Sequence, residues 1–182
     1  YYKFESLSTN HPTMGIDHID WDGYKYNVYP FINFPRKSYI YDEDANGAFY
    51  IRNSNNSDND ITCDYMLVNY KLKMDSDNIR QIEFLKNNCT IMVNGNWTNN
   101  YETNEYKMSY NYKDNSFNTS LLQKQGYYSY RYKVINNKKL YVTGAIEPSF
   151  YQTENKYHAL VYYRKVGGRT DLLVGYANID FK

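Results

Sequence analysis

Apolar and polar residues alternate along most of this 182-residue chain. In DYMLVNYKLK (64–73), Met66, Val68, Tyr70 and Leu72 fall on one face of an extended strand. The stretch GYYSYRYKVINNKKLYV (126–142) puts Tyr128, Tyr130, Tyr132 and Val134 on one face, with Tyr127, Ser129, Arg131 and Lys133 on the other. Strand patterns also cover CTIMVNG (89–95), YKMSYNY (106–112), FNTSLL (117–122), LYVTGAI (140–146), YHALVYYR (157–164) and DLLVGYANI (171–179). Turns rich in Asn, Asp and Gly separate them. DSDNIRQIEFLKN (75–87) has helical spacing through Ile79, Ile82 and Leu85 and reads as one short helix or a further strand. Short strands at such regular spacing predict an all-β fold, an antiparallel sandwich rather than α/β alternation.

The polar run NSNNSDND (53–60) is the one break in this pattern and reads as a linker. Residues 1–52 look β-rich, with YKYNVYPFINF and GAFYIRN, yet about fifty residues make a poor sandwich alone. The expected organisation is therefore a remnant of a preceding β domain at 1–52, a linker at 53–60 and an immunoglobulin-like sandwich at 61–182.

Composition narrows the function. Tyr supplies 24 residues, against 8 Phe and 2 Trp. Aromatic and β-branched residues suit a pleated, half-buried surface. Basic and acidic residues number 21 and 20, a net charge of +1 spread along the chain. No basic stripe is present to neutralise phosphates, so nucleic acid is not an expected partner. No apolar run reaches the roughly 18 residues of a membrane helix. The chain starts at Tyr1 rather than Met and reads as processed or cut from a longer protein, so the lack of a signal peptide in it says nothing of location. Cys63 and Cys89 either pair or act as two buried small hydrophobes.

Motifs with chemistry are few. DEDANG (42–47) matches the first half of a calcium loop through Asp42, Asp44 and Asn46, but Asn53 stands where a bidentate Glu is required. Asn46-Gly47 reads better as a turn with positive φ angles. The histidines His11, His18 and His158 lack metal-ligand spacing, and no nucleophile elbow supports a set of Ser149, His158 and Asp171. Gly167-Gly168 in VGGRT reads as a tight hairpin. Trp21, between Asp20 and Asp22, reads either as an exposed aromatic contact or as core of a missing upstream domain.

The features DYMLVNYKL, VNGNWTN, YKMSYN, LLQKQGYYSYRY, SFYQTENKYHALVYYR and GGRTDLLVGY occur in an order that resembles the C-terminal region of a family of Gram-negative envelope proteins. Formerly a domain of unknown function, that family includes the plug protein of the type IX secretion system. YYKFESLS and YIYDEDANGAFYIRN are similar to the end of the family's first conserved domain. More distantly, Val93, Gly95, Asn99, Met108, Gly126, Tyr128, Tyr130 and Val134 are similar to the pattern of early-set, immunoglobulin-like glycogen- and starch-binding modules. Those modules stack sugars on two tryptophans, where this chain has Asn100 and Tyr141 instead.

The resemblance implies a non-catalytic protein-interaction module, periplasmic and outer-membrane-associated, that docks on an outer-membrane translocon or another envelope protein. No enzyme activity and no cofactor are expected. The loop GNWTNNYETNEY (95–106) supplies the candidate contacts Trp97 and Tyr101. The alternative is a carbohydrate-binding module using Trp97, Tyr101 and Tyr141 as a shifted platform. In either reading the tyrosine stripe 128–132 is expected to be chiefly core.

Overall fold

The computed structural model describes residues 1–42, 45–54, 59–152 and 155–181. In chain order the elements are β1 (Tyr2–Ser6), β2 (Ile16–Trp21), β3 (Tyr26–Pro30), β4 (Phe49–Ile51), α1 (Asn59–Thr62), β5 (Tyr65–Lys73), α2 (Ile79–Asn88) and β6 (Cys89–Asn94), followed by β7 (Ser109–Asn111), β8 (Ser116–Lys124), β9 (Gly126–Asn136), β10 (Asn155–Tyr163) and β11 (Leu172–Phe181). The chain divides into two compact units. One comprises Tyr1–Lys37 with Tyr41–Pro148; the other comprises Ser38–Ile40 with the residues from Ser149 onward.

The first unit is a two-sheet sandwich. One sheet is a five-stranded ribbon in the order β2-β3-β5-β8-β7, with β3 and β5 parallel and the other pairs antiparallel. The second is built on the long strand β9, flanked by β1 and β4 along its first half and paired with β6 along its second. Met66, Val68, Tyr70 and Leu72 of β5 are buried, as their alternation requires. They share one core with Phe4, Tyr128, Tyr130, Tyr132 and Val134 from the β9 sheet. The ambiguous segment is helical: α2 buries Ile82 and Leu85, while Ile79 stays exposed.

Strands β1–β4 are not a remnant of another domain but part of the first unit. The expected sandwich at 61–182 is divided, its residues from Ser149 onward falling in the second unit. Phe4 of β1 is fully buried, opposite Tyr128 in register and within ring contact of Tyr70 and Tyr130. Val28 of β3 is equally buried and pairs with Val68 of β5. Strands from both sides of the expected linker thus fill one core, because β-pairing joins segments far apart in the chain. Within that linker, residues 55–58 lie outside the described residues, and α1 begins at Asn59.

LYVTGAI does not form a strand. After a single bridge from Tyr141 to Ile135 and a bond from Val142 N–H to the Val134 carbonyl (2.9 Å), the backbone turns at Gly144, whose φ is 79°. No disulfide joins Cys63 and Cys89; Cys63 is buried, and burial pushes the Cys89 thiol up.

The second unit contains the antiparallel hairpin β10–β11, with a bulge opposite Val161/Tyr162. The expected glycine turn is present: Gly167 has φ 80°, and Gly168 N–H donates to the Lys165 carbonyl at 2.7 Å. Arg164 grips Asp171 with two bonds, 2.7 and 2.9 Å, across the base of this turn. At the other end of the unit, the rings of Tyr39 and Phe150 meet edge to face at 6.1 Å.

Candidate functional site

The tyrosine stripe is interior. Tyr128, Tyr130 and Tyr132 are each at most 3% exposed, so their ring faces are closed to any ligand. Their hydroxyls are satisfied inside the protein. Tyr130 and Tyr132 both donate to Asn33 Oδ1 at 2.7 Å, and Tyr128 donates to the Lys124 carbonyl at 2.6 Å. Tyr70 donates to Gln123 Oε1 at 2.6 Å, and Tyr2 to the Phe34 carbonyl at 2.7 Å. Desolvation holds all five phenols far above their ordinary range. Asn33 therefore ties the segment after β3 to the centre of the β9 sheet.

The three aromatic contact residues expected from sequence do different things. Trp97 lies in a 3-10 turn (Asn96–Thr98) and is half-buried, its ring edge-to-face with Tyr128 at 5.2 Å and with Phe49 at 6.3 Å. Its ring fills the space beside Gly95, where a Cβ would sit 2.0 Å from a ring carbon. Trp97 therefore packs onto the core edge rather than standing out as an anchor. Tyr101 is exposed. Tyr141 is half-exposed and shares the Arg131 guanidinium with Tyr1, at 6.0 and 5.7 Å from the two ring centres. Arg131 Nε also donates to Asn94 Oδ1 at 3.2 Å. Trp97 and Tyr141 are engaged with different neighbours, and the two do not share a contact with Tyr101.

The remaining motifs resolve into local structure. Asn46 and Gly47 have φ of 52° and 83°, and Ala48 N–H closes the turn onto the Ala45 carbonyl at 2.9 Å, leading into β4. Asp42 pairs with Lys3 at 2.6 Å, and Asp44 lies outside the described residues. Among the described residues, no group of three or more His, Cys, Asp or Glu side chains converges. His11 contacts Ser8, and His18 contacts Asp17 and stacks on Tyr29. His158 contacts Asn178 and Tyr176, while Asp171 is held by Arg164.

The tertiary structure puts β2 at one edge of the five-stranded sheet, with β7 at the other, which the pattern alone left undecided. β2 pairs only with β3 in that sheet. At its end Trp21 is 56% exposed, with its ring 4.7 Å from that of Tyr26 on the neighbouring strand. The turn between the two strands is fixed by Asp22, which accepts from the N–H groups of Tyr24 and Lys25 and from Asn27 Nδ2. The Asn27 bond and those two backbone donors hold the Asp22 carboxyl below its usual range. Tyr24 projects from the turn almost wholly exposed, and the exposed carboxylates Asp17 and Asp20 lie on the same strand as Trp21. An indole on an open strand edge, with charge on the same strand, has the make-up of an interface anchor.

Comparison with known proteins yields no matching family model and no curated relative. Among solved structures, the chain is similar to a hypothetical protein from Parabacteroides merdae, 33% identical, with a TM-score of 0.86 over the whole of this chain. The chain spans 44% of the length of that protein. Among the described residues, no helix is long and apolar enough to cross a membrane.

Proposed function

We propose that the chain is a non-catalytic protein-interaction module of a periplasmic, outer-membrane-associated protein. In this reading the sandwich is of the immunoglobulin-like, early-set kind. Its resemblance to the family of the type IX secretion plug makes an outer-membrane translocon the expected partner, docked and closed by the full-length protein. The observation that carries the reading is the open edge of β2, where Trp21 stands half out of the fold against Tyr26. A rigid sandwich offers such an edge without reorganising on binding, which limits the entropic cost of association.

The test is to tag the full-length protein in its native host, extract the envelope gently and identify what co-purifies. A large outer-membrane barrel recovered in stoichiometric amount, and lost with Trp21→Ala, supports docking through this edge. Recovery of the barrel unaffected by Trp21→Ala moves the contact to Tyr101 and its loop. Recovery of the protein alone overturns the reading.

A carbohydrate-binding role is the second reading, for an α-glucan-like ligand. Tyr141 favours it: the ring is half-exposed beside the Arg131 guanidinium, so a stacking face adjoins a hydrogen-bond donor. Titration with a linear α-glucan oligosaccharide, followed by calorimetry on wild type and Tyr141→Ala, tests it. Heat that vanishes in the variant supports the reading, and no heat in wild type removes it.

A further inference from the structure

The hairpin β10–β11 has no core to belong to. None of the described residues in its unit is buried. Yet no charged side chain occurs from Tyr157 to Tyr163 or from Leu172 to Ile179. One face brings together Tyr157 opposite Ile179, Ala159 opposite Ala177, and Tyr163 opposite Leu172, all apolar apart from the phenol hydroxyls. The other face has Leu160 beside Tyr176 and Tyr162 beside Leu173, and turns polar at His158 opposite Asn178 and at Lys156 opposite Asp180. A two-stranded hairpin is marginal in water, and a strand edge with so long an uncharged stretch invites pairing. Apolar residues on both faces are the pattern of a strand that lies inside a protein.

Two observations say what covers it. The unit is assembled from two separate stretches of chain, 38–40 and the residues from Ser149 onward, joined by the Tyr39–Phe150 ring contact. Such a discontinuous unit is how a chain contributes to a second domain. The P. merdae structure matches this chain along its entire length, hairpin included, and more than half of that longer protein lies outside the match.

We propose that β10–β11 is a strand pair of a second β domain, whose other strands come from more of the same polypeptide and lay an apolar layer over the Tyr157–Ile179 face. This goes beyond the docking reading and needs no partner, so either can fail without the other.

Hydrogen exchange tests it, comparing the 182-residue chain with the longest natural polypeptide that contains it. Amides of 157–163 and 172–179 are expected to exchange about 100-fold more slowly in the longer protein, with those of β5 and β9 alike in both. Ala177→Asp on the apolar face should speed hairpin exchange at least about tenfold in the longer protein and leave the sandwich amides unchanged. Sedimentation velocity accompanies both measurements. Equal protection in the two monomers, or no effect of Ala177→Asp, overturns the proposal. So does protection that appears only when the 182-residue chain dimerises, which assigns the face to a second copy. A natural polypeptide with nothing beyond these residues also overturns it.

Discussion

β9 and β10 are both tyrosine-rich strands, and they end in opposite environments. In β9, Tyr128, Tyr130 and Tyr132 are sealed between two sheets with their hydroxyls satisfied by Lys124 and Asn33. In β10, Tyr157, Tyr162 and Tyr163 are each more than half exposed. The difference lies in what is laid over them. β9 has neighbours on both sides and β5 across the core, whereas β10 has β11 alone. An aromatic strand contributes stability only in proportion to the water it loses.

The largest expected break between the two regions is alkaline. The buried phenols of Tyr70, Tyr128, Tyr130 and Tyr132 and the half-buried phenol of Tyr2 are raised above their unfolded value by desolvation. Their contribution is complete below the unfolded phenol pKa of about 10 and is lost as pH rises from there toward the raised folded values. The sandwich should therefore unfold cooperatively above about pH 11, with phenolate absorbance of the core tyrosines appearing together with the loss of β-sheet circular dichroism. Phenolate signal from those five residues with the sheet intact would show that the core admits water.

Next in size is truncation of a core ring. Tyr130 is 1% exposed and touches the rings of Phe4, Tyr70, Tyr2 and Tyr132. Tyr130→Ala should cost about 3–5 kcal/mol in denaturant unfolding. A smaller loss, about 2 kcal/mol, is expected for Asn33→Ala, which strands two buried hydroxyls without removing a ring. Tyr162→Ala in the hairpin should change the unfolding of the sandwich by less than about 0.5 kcal/mol. A cost for Tyr162→Ala comparable to that of Tyr130→Ala would erase the comparison.

Much of the strand content was legible from alternation. The buried face of β5 and the stripe of β9 follow directly from a side-chain period of two. The hairpin turn at Gly167 and the positive-φ turn at Asn46-Gly47 were legible from residue type, because few residues tolerate that backbone region. Trp97 was harder. Its position after β6 is local, but its half-burial depends on Phe49 and Tyr128, which come from two other strands. The open edge with Trp21 was undecidable for the same reason: whether Trp21 is covered depends on which strand lies beside β2.

Local sequence, then, determined which segments extend, which face of each is apolar and where the chain turns, since these depend on neighbouring residues and backbone sterics. The tertiary structure alone decided that β1–β4 belong to one unit with β5–β9, that LYVTGAI stops after one bridge, and that the tyrosines of β9 are buried while those of β10 are not. Each of those outcomes depends on a partner strand distant in the chain, and alternation within a strand carries no record of which partner will cover it.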